Sequence, residues 1–305
     1  MAMVLTNNSC NETLSPLVRL VDVKNIINKT DVPAGDYAAN PYVGCTHGCK
    51  YCYACFMKRF TNHNEPWGSF LDVKIWPQIN AQKYAHNKLI VGTVTDPYNP
   101  QEAQYKRTYT LLKELVGVPV SLTILTKSDL VLRDIDLLKS FANVRVGFSI
   151  NTLDENFRGA MDNASSIAKR LNAMKVLHEQ GIRTACFISP IFPGITDVPA
   201  IIDEVKEHCQ FIWLENLNLR GNYKQVILNL IKEKYPNLKD LYDQIYLKGD
   251  RTYWVELDRS LQKLACEYGL DYVVNEDDLL RPFDAPPVLV NFFYHEKIKK
   301  SASPA

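Results

Sequence analysis

Five apolar, β-branched runs recur along the chain with helical patterns between them: "KLIVGTVT" (88-95), "VSLTILT" (120-126), "VRVGFSI" (144-150), "RTACFISPI" (183-191) and "FIWLEN" (211-216). Each is short and bounded, as a buried strand is. The intervening stretches 100-115, 132-142, 166-181 and 198-209 carry apolar residues at spacings of three and four, the repeat of a helix with one buried face. Asp129 and Asp197 stand ahead of two of these helices as caps, and Gly181 stands where another should stop. Strand and helix in alternation require parallel pairing with helices outside the sheet. With "AANPYVG" (38-44) as a first strand there are six units, which predicts an α/β fold: a partial (β/α)6 TIM-like barrel, with a doubly wound sheet as the alternative. In both, functional residues gather at the carboxyl ends of the strands.

The 305 residues divide into an N-terminal extension (1-35), the alternating core (36-217) and a C-terminal cap (218-305). The cap contains the helical patterns "YKQVILNLIKEKY" and "YWVELDRSLQKLACEYG", a Pro-rich segment and a short basic tail. A formal net charge of +1 supplies no overall field toward nucleic acid, so a nucleic-acid partner stays an open question. The sequence has no basic start followed by an apolar run and no span of about 18 apolar residues. The expectation is therefore a cytoplasmic protein with no membrane partner.

Four of the eight cysteines crowd into residues 45-55. Cys45, Cys49 and Cys52 form C-x3-C-x2-C, and Gly44 and Gly48 allow the tight loop in which three sulfurs converge. Three thiolates suit an iron-sulfur cluster with one iron left open for a substrate-like ligand. A zinc site is the competing reading, although Cys186, Cys209 and Cys266 supply no second C-x2-C. A nucleic-acid-binding protein with a structural metal is another. Cys55 reads as a helix-face cysteine, since a fourth ligand would seal the open iron, and Cys10, Cys186, Cys209 and Cys266 read as buried or incidental. His178 reads as a solvated position on a helix, and His47, between two ligands, as a local hydrogen-bonding group.

C-x3-C-x2-C with Tyr51 just before its last cysteine resembles the signature of the radical S-adenosylmethionine (SAM) superfamily. "NPYVGCTHGCKYCYA", "GTVTDPYNPQE", "ILTKSDLVLRDIDLL", "FSINTLDENFR" and "SPIFPGITD" resemble its spore photoproduct lyase-like branch. Through "WLENLNLRGNYK" and "RPFDAPPVLVNFFYHEKIKK" the whole sequence is similar to the radical SAM mobile pair B proteins, a family named for a gene neighbourhood. The resemblance implies a 4Fe-4S cluster on Cys45, Cys49 and Cys52, with SAM chelating the open iron and reductive cleavage yielding a 5'-deoxyadenosyl radical that abstracts hydrogen from substrate. It places Tyr51 near the adenine, Thr95 and Asp96 near the SAM amino group, and Lys127, Ser128 and Ser149 near its carboxylate and ribose. It implies a one-electron reductant of flavodoxin or ferredoxin type and a second radical SAM protein from the same neighbourhood as partner. Thr93 stands where the lyase branch has its hydrogen-donating cysteine, and a hydroxyl cannot replace that thiol. Glu215, Asn216, Asn218 and Arg220, after the sixth strand, and Tyr253 are the candidate substrate contacts; Arg251, Trp254 and His295 are candidates for a lid.

Overall fold

Six parallel strands carry the core of the computed structural model, which describes residues 15-32, 35-274 and 282-293. In chain order the strands are β1 (Leu17–Asp22), β2 (Ile27–Lys29), β3 (Tyr37–Ala39), β4 (Tyr42–Val43), β5 (Phe70–Ile75), β6 (Lys88–Val91), β7 (Ser121–Thr126), β8 (Val144–Ser149), β9 (Arg183–Ile191), β10 (Phe211–Asn216), β11 (Asp271–Val273) and β12 (Val288–Asn291). The main sheet runs β11-β12-β10-β9-β8-β7-β6-β3-β2, parallel from β3 through β11, with β2 antiparallel at one edge. The sheet stays open, as a partial barrel does. A second sheet of three strands, β1-β5-β4, stands beside it.

Helices between the strands cover the outside: α1 (Glu102–Tyr105), α2 (Arg107–Leu115), α3 (Ile135–Leu138), α4 (Glu155–Met161), α5 (Ile167–Glu179) and α6 (Val198–Val205). Leu111, Leu112 and Leu115 of α2, and Ala173, Met174 and Leu177 of α5, are buried against Leu122, Ile124, Val146 and Phe148. Burying one such side chain contributes about 1.5–3 kcal/mol. Asp197 caps α6 through Ala200 N–H at 3.1 Å, and Gly181 ends α5 at φ +76°.

Four expectations are corrected. The first strand of the barrel is Tyr37–Ala39, because Tyr42 and Val43 turn away to pair with β5 in the small sheet. The helix expected over 100-115 breaks at Lys106, whose φ of +49° reverses the backbone between α1 and α2. Ser128 rather than Asp129 caps the turn after β7, accepting from Leu130 N–H at 3.2 Å, while the Asp129 carboxylate accepts from Ser165 Oγ at 2.6 Å. The Pro-rich segment holds β12, whose four side chains are all buried.

Beyond residue 217 lie α7 (Gly221–Lys234), α8 (Lys239–Tyr246) and α9 (Thr252–Tyr268), followed by β11 and β12, which extend the sheet past β10. No helix of the described residues is long and apolar enough to cross a membrane. Cys10, His295 and the basic tail lie outside the described residues.

Candidate functional site

The cysteine loop leaves β4 at the carboxyl end of the barrel and is shaped by two glycines. Gly44 has φ +86°, and a Cβ there would stand 2.4 Å from Phe70 O, so no side chain fits. Gly68, at φ +99°, presses on the loop from the far side, where a Cβ would be 2.9 Å from Gly48 Cα. Gly48 N–H donates to Cys45 O at 3.2 Å and Cys52 N–H to Cys49 O at 3.1 Å. Two bonds tie the loop to the end of α4: Lys50 N–H to Met161 O (2.9 Å) and Asn163 N–H to His47 O (2.8 Å). Cys45 is buried, and Cys49 and Cys52 are half-buried. Burial pushes Cys45 well above the ordinary thiol range, and the neighbouring Asp96, Cys49 and Cys52 push it further. Burial also raises Cys49, to about 12, against the pull of Lys127, and raises Cys52 against Lys127 and a hydrogen bond from the Trp67 side chain. Cys49 and Cys52 thus share the Lys127 ammonium, and Cys45 feels both of them.

That donor set, three cysteines on one loop, is of the kind that holds an iron-sulfur cluster, each sulfur on its own iron. Two buried polar atoms at this end of the barrel, His47 Nδ1 and Asn151 Nδ2, have no hydrogen-bond partner among the described residues. A polar group entering the site would satisfy them.

The strand ends bind the loop to the barrel. Thr95 Oγ donates to Gly44 O at 2.6 Å. Asp96 accepts from Tyr98 N–H (2.9 Å), Thr126 Oγ (2.7 Å) and Lys127 N–H (2.7 Å), and His47 Nε2 stands 3.1 Å from its Oδ2. Burial alone would raise the Asp96 carboxyl, but His47 and these donors hold it at about 2. The Asp96 carbonyl is engaged by Asn99. Lys127 makes no ion pair among the described residues; burial would lower its pKa, yet Cys49 and Asp162 keep it raised. Its Nζ lies 5.7 Å from the centre of the Tyr51 ring. Ser128 Oγ serves as the cap described above, and Ser149 O accepts from Arg170 at 3.1 Å. Tyr51 is turned into the core: its ring packs edge-on to Phe192 at 5.5 Å, and its hydroxyl donates to Asp162 at 3.0 Å. Asp162 in turn pairs with Arg170 at 3.0 Å, each side chain 1% exposed.

The candidate substrate residues divide into two groups. Glu215 and Asn216 belong to β10, which continues past Leu214 with a register irregularity, and Glu215 is joined to Ser189 Oγ of β9. Glu215 and Cys52 both act on Tyr53, whose hydroxyl donates to Thr93 O. Tyr53 therefore brings the ends of β6 and β10 to the last cysteine of the motif. Asn218 accepts from Arg220 Nε at 3.0 Å and from the Tyr223 hydroxyl, through its carbonyl, at 2.6 Å; Tyr223 lies within electrostatic reach of Cys55 and Cys52. Tyr253 stands apart on α9, where its hydroxyl accepts from Gly194 N–H at 3.1 Å and its ring packs edge-on to Trp254 at 5.1 Å. Cys186 and Cys209 are buried, Cys266 is exposed, and His178, expected to be solvated, stacks on Phe283 at 4.5 Å. Sequence reading missed Tyr53, Trp67, Asn151 and the Asp162–Arg170 pair. Only Tyr53 carried a signal, its place next to a motif cysteine.

Residues 39-212 match the family model described as the Radical SAM superfamily. The uncharacterized protein MJ0683 of Methanocaldococcus jannaschii is 39% identical over 218 residues, 71% of this chain and 83% of that protein. The uncharacterized protein Rv2578c of Mycobacterium tuberculosis is 24% identical over 74% of this chain and 72% of its own length. Among solved structures, a spore photoproduct lyase with bound AdoMet and dinucleoside spore photoproduct superposes with a TM-score of 0.52 at 18% identity, over 72% of this chain and 66% of the lyase. Streptococcus suis SuiB bound to precursor peptide SuiA gives 0.50 at 13% identity, over 91% of this chain and 49% of SuiB. At these identities the two structures speak to the fold alone.

Proposed function

This chain belongs to the radical SAM superfamily, and from that premise we propose that Cys45, Cys49 and Cys52 hold one 4Fe-4S cluster that cleaves SAM for hydrogen abstraction from a substrate. The protein is an enzyme with SAM-dependent radical chemistry, and its cofactors are a 4Fe-4S cluster and SAM. When bound and reduced, the cluster supplies the electron that splits SAM into methionine and a 5'-deoxyadenosyl radical; the protein's own work is positioning and sealing.

Lys127 offers its ammonium to the SAM carboxylate from beside Cys49. Thr95 is positioned to take the amino group through its backbone, since its hydroxyl holds Gly44. Asp96 shapes that corner by fixing His47 and the start of the turn at Lys127. Ser128 and Ser149 lie at adjacent strand ends for ribose contacts, and the backbone at Tyr51 lies on the adenine side while its ring anchors the loop in the core. Glu215, Asn216, Asn218 and Arg220 border the substrate opening beside Tyr53, with Tyr253 at a greater remove on the cap. Residues 36-217 form the catalytic core under this reading and 218-305 its cap, in keeping with the bond from Tyr253 to the loop after β9. The reductant is of flavodoxin or ferredoxin type, and a second radical SAM protein encoded nearby is a partner. The substrate is a small molecule, a peptide or a nucleic acid, and Thr93 at the lyase cysteine position argues against thymine-dimer repair.

The observation that carries this reading is three cysteines gathered on one glycine-cradled loop, two of them beside Lys127, which makes no ion pair among the described residues. Anaerobically reconstituted, dithionite-reduced protein is expected to form 5'-deoxyadenosine from SAM, and Cys49→Ala to abolish it. Product from the variant at the parental rate, measured by chromatography, would overturn the assignment.

A further inference from the structure

The segment that follows Cys52 is an eight-residue 3-10 helix, Tyr53–Phe60. With three residues per turn, side chains at i and i+3 eclipse, so Tyr53, Phe56 and Arg59 form one line along its surface. The two rings stack at 6.4 Å and 30°, and the Arg59 guanidinium lies 5.4 Å from the Phe56 ring centre and 4.7 Å from that of Phe60. The helix places these rings in solvent: Tyr53 is 56% exposed, Phe56 41% and Phe60 66%. Among the described residues they are three of the four aromatic side chains that rank as exposed large hydrophobics, the fourth being Tyr109. An apolar stripe of this kind in one place marks an interaction surface.

Its charge identifies the partner. The helix contains Lys58 and Arg59 and no acid. Glu65, the next acid along the chain, is engaged with His63 at 3.0 Å, and Glu215, which acts on Tyr53, with Ser189. The stripe begins at a cysteine of the motif and, at a rise of about 2.0 Å per residue, reaches Phe56 after about 8 Å and Phe60 after about 16 Å. A partner seated here is brought within a short distance of Cys52. A nucleic acid would need a longer basic track to follow its backbone, whereas a small acidic protein needs only a compact apolar patch with a cationic edge.

We infer that the exposed Phe56–Arg59–Phe60 patch, which follows Tyr53 along the helix, is the docking surface for the acidic one-electron reductant that serves the site. The inference rests on the proposed function, since only a redox cluster at Cys45, Cys49 and Cys52 calls for such a partner. The electron passes from the reduced partner, which is oxidised by one electron, to the oxidised cluster, with no bond made or broken at the surface.

The test compares two electron sources on reconstituted protein: dithionite, which needs no docking surface, and enzymatically reduced flavodoxin. Arg59→Glu is expected to lower flavodoxin-supported 5'-deoxyadenosine formation about tenfold or more at low salt, and Phe60→Ser to lower it similarly. Both variants are expected to keep the dithionite-supported rate and the cluster's absorption spectrum. In the parent protein the flavodoxin-supported rate should fall as salt is raised. An unchanged flavodoxin-supported rate in both variants overturns the inference, as does an equal loss with both electron sources, which would make the stripe part of the site itself. Binding of a single-stranded oligonucleotide that Arg59→Glu abolishes, with flavodoxin turnover intact, reassigns the surface to nucleic acid. If the parent protein makes no product with dithionite, the proposed function fails first.

Discussion

Asp96→Asn should destabilise the protein substantially at neutral pH and little in acid. The carboxylate accepts three hydrogen bonds and faces His47, and these hold its pKa at about 2 against an ordinary 3.8. That depression corresponds to about 2.5 kcal/mol of stability. An amide retains one acceptor but turns an NH2 toward a donor, leaving a buried group unsatisfied at about 1–3 kcal/mol; the two figures describe the same interactions and do not add. Because the folded pKa lies below the unfolded one, the contribution is present in full above about pH 4 and disappears as the pH falls toward 2. The assay is urea denaturation of thiol-reduced, metal-free protein at pH 7 and in steps down to pH 3, comparing parent with variant. The difference should be about 2–3 kcal/mol at pH 7 and shrink steadily below pH 4. A difference below about 0.5 kcal/mol at pH 7, or one that does not change with pH, would refute the view of Asp96 as an ionised anchor of the loop.

Three other outcomes can be measured. Gly48→Ala should cost only about 1 kcal/mol, since its φ is +58° but the nearest atom to a Cβ is 3.6 Å away, whereas Gly68→Ala drives a Cβ against Gly48 Cα at 2.9 Å and should cost distinctly more in thermal denaturation. Arg170→Met removes the nearer cation from the buried Asp162 carboxylate, leaving Arg158 at 3.8 Å, and should destabilise by about 3 kcal/mol; a loss under about 1 kcal/mol would mean that Arg158, Tyr51 and Ala164 satisfy Asp162 without it. Lys127→Met should weaken SAM binding to the reconstituted enzyme about tenfold or more while leaving cluster absorption in place, and unchanged affinity by calorimetry would remove Lys127 from the carboxylate contact.

The sequence made the barrel legible because its strands are buried on both faces and hence continuous in apolar character. β9 and β10 match their expected bounds residue for residue. The small sheet was hidden for the opposite reason: β4 is two residues long and β5, "FLDVKI", mixes Asp72 and Lys74 into an apolar run. β12 was masked by the prolines ahead of it, which signal loop, although it lies in the interior of the sheet between β10 and β11. At the proposed site, the C-x3-C-x2-C spacing marks the three cysteines, and the family resemblance points to Lys127. Most of what holds them was not legible. Asp162 and Arg170 are charges buried against each other across eight residues, and nothing in local pattern separates them from the solvated charges on the same helices. Asp96 reads in the sequence as a turn residue or a cofactor contact, and nothing local foretells that its carboxylate also joins His47 to Tyr98, Thr126 and Lys127.

The pairing of β12 with β10 links assembly of the barrel to the order of synthesis. Leu214 meets Asn291 across that ladder, so about seventy residues must leave the ribosome after the sixth strand before its outer edge finds a partner. Until then the nascent chain presents an apolar, unpaired ribbon, Phe211 to Leu214, to whatever strand or chaperone it encounters first.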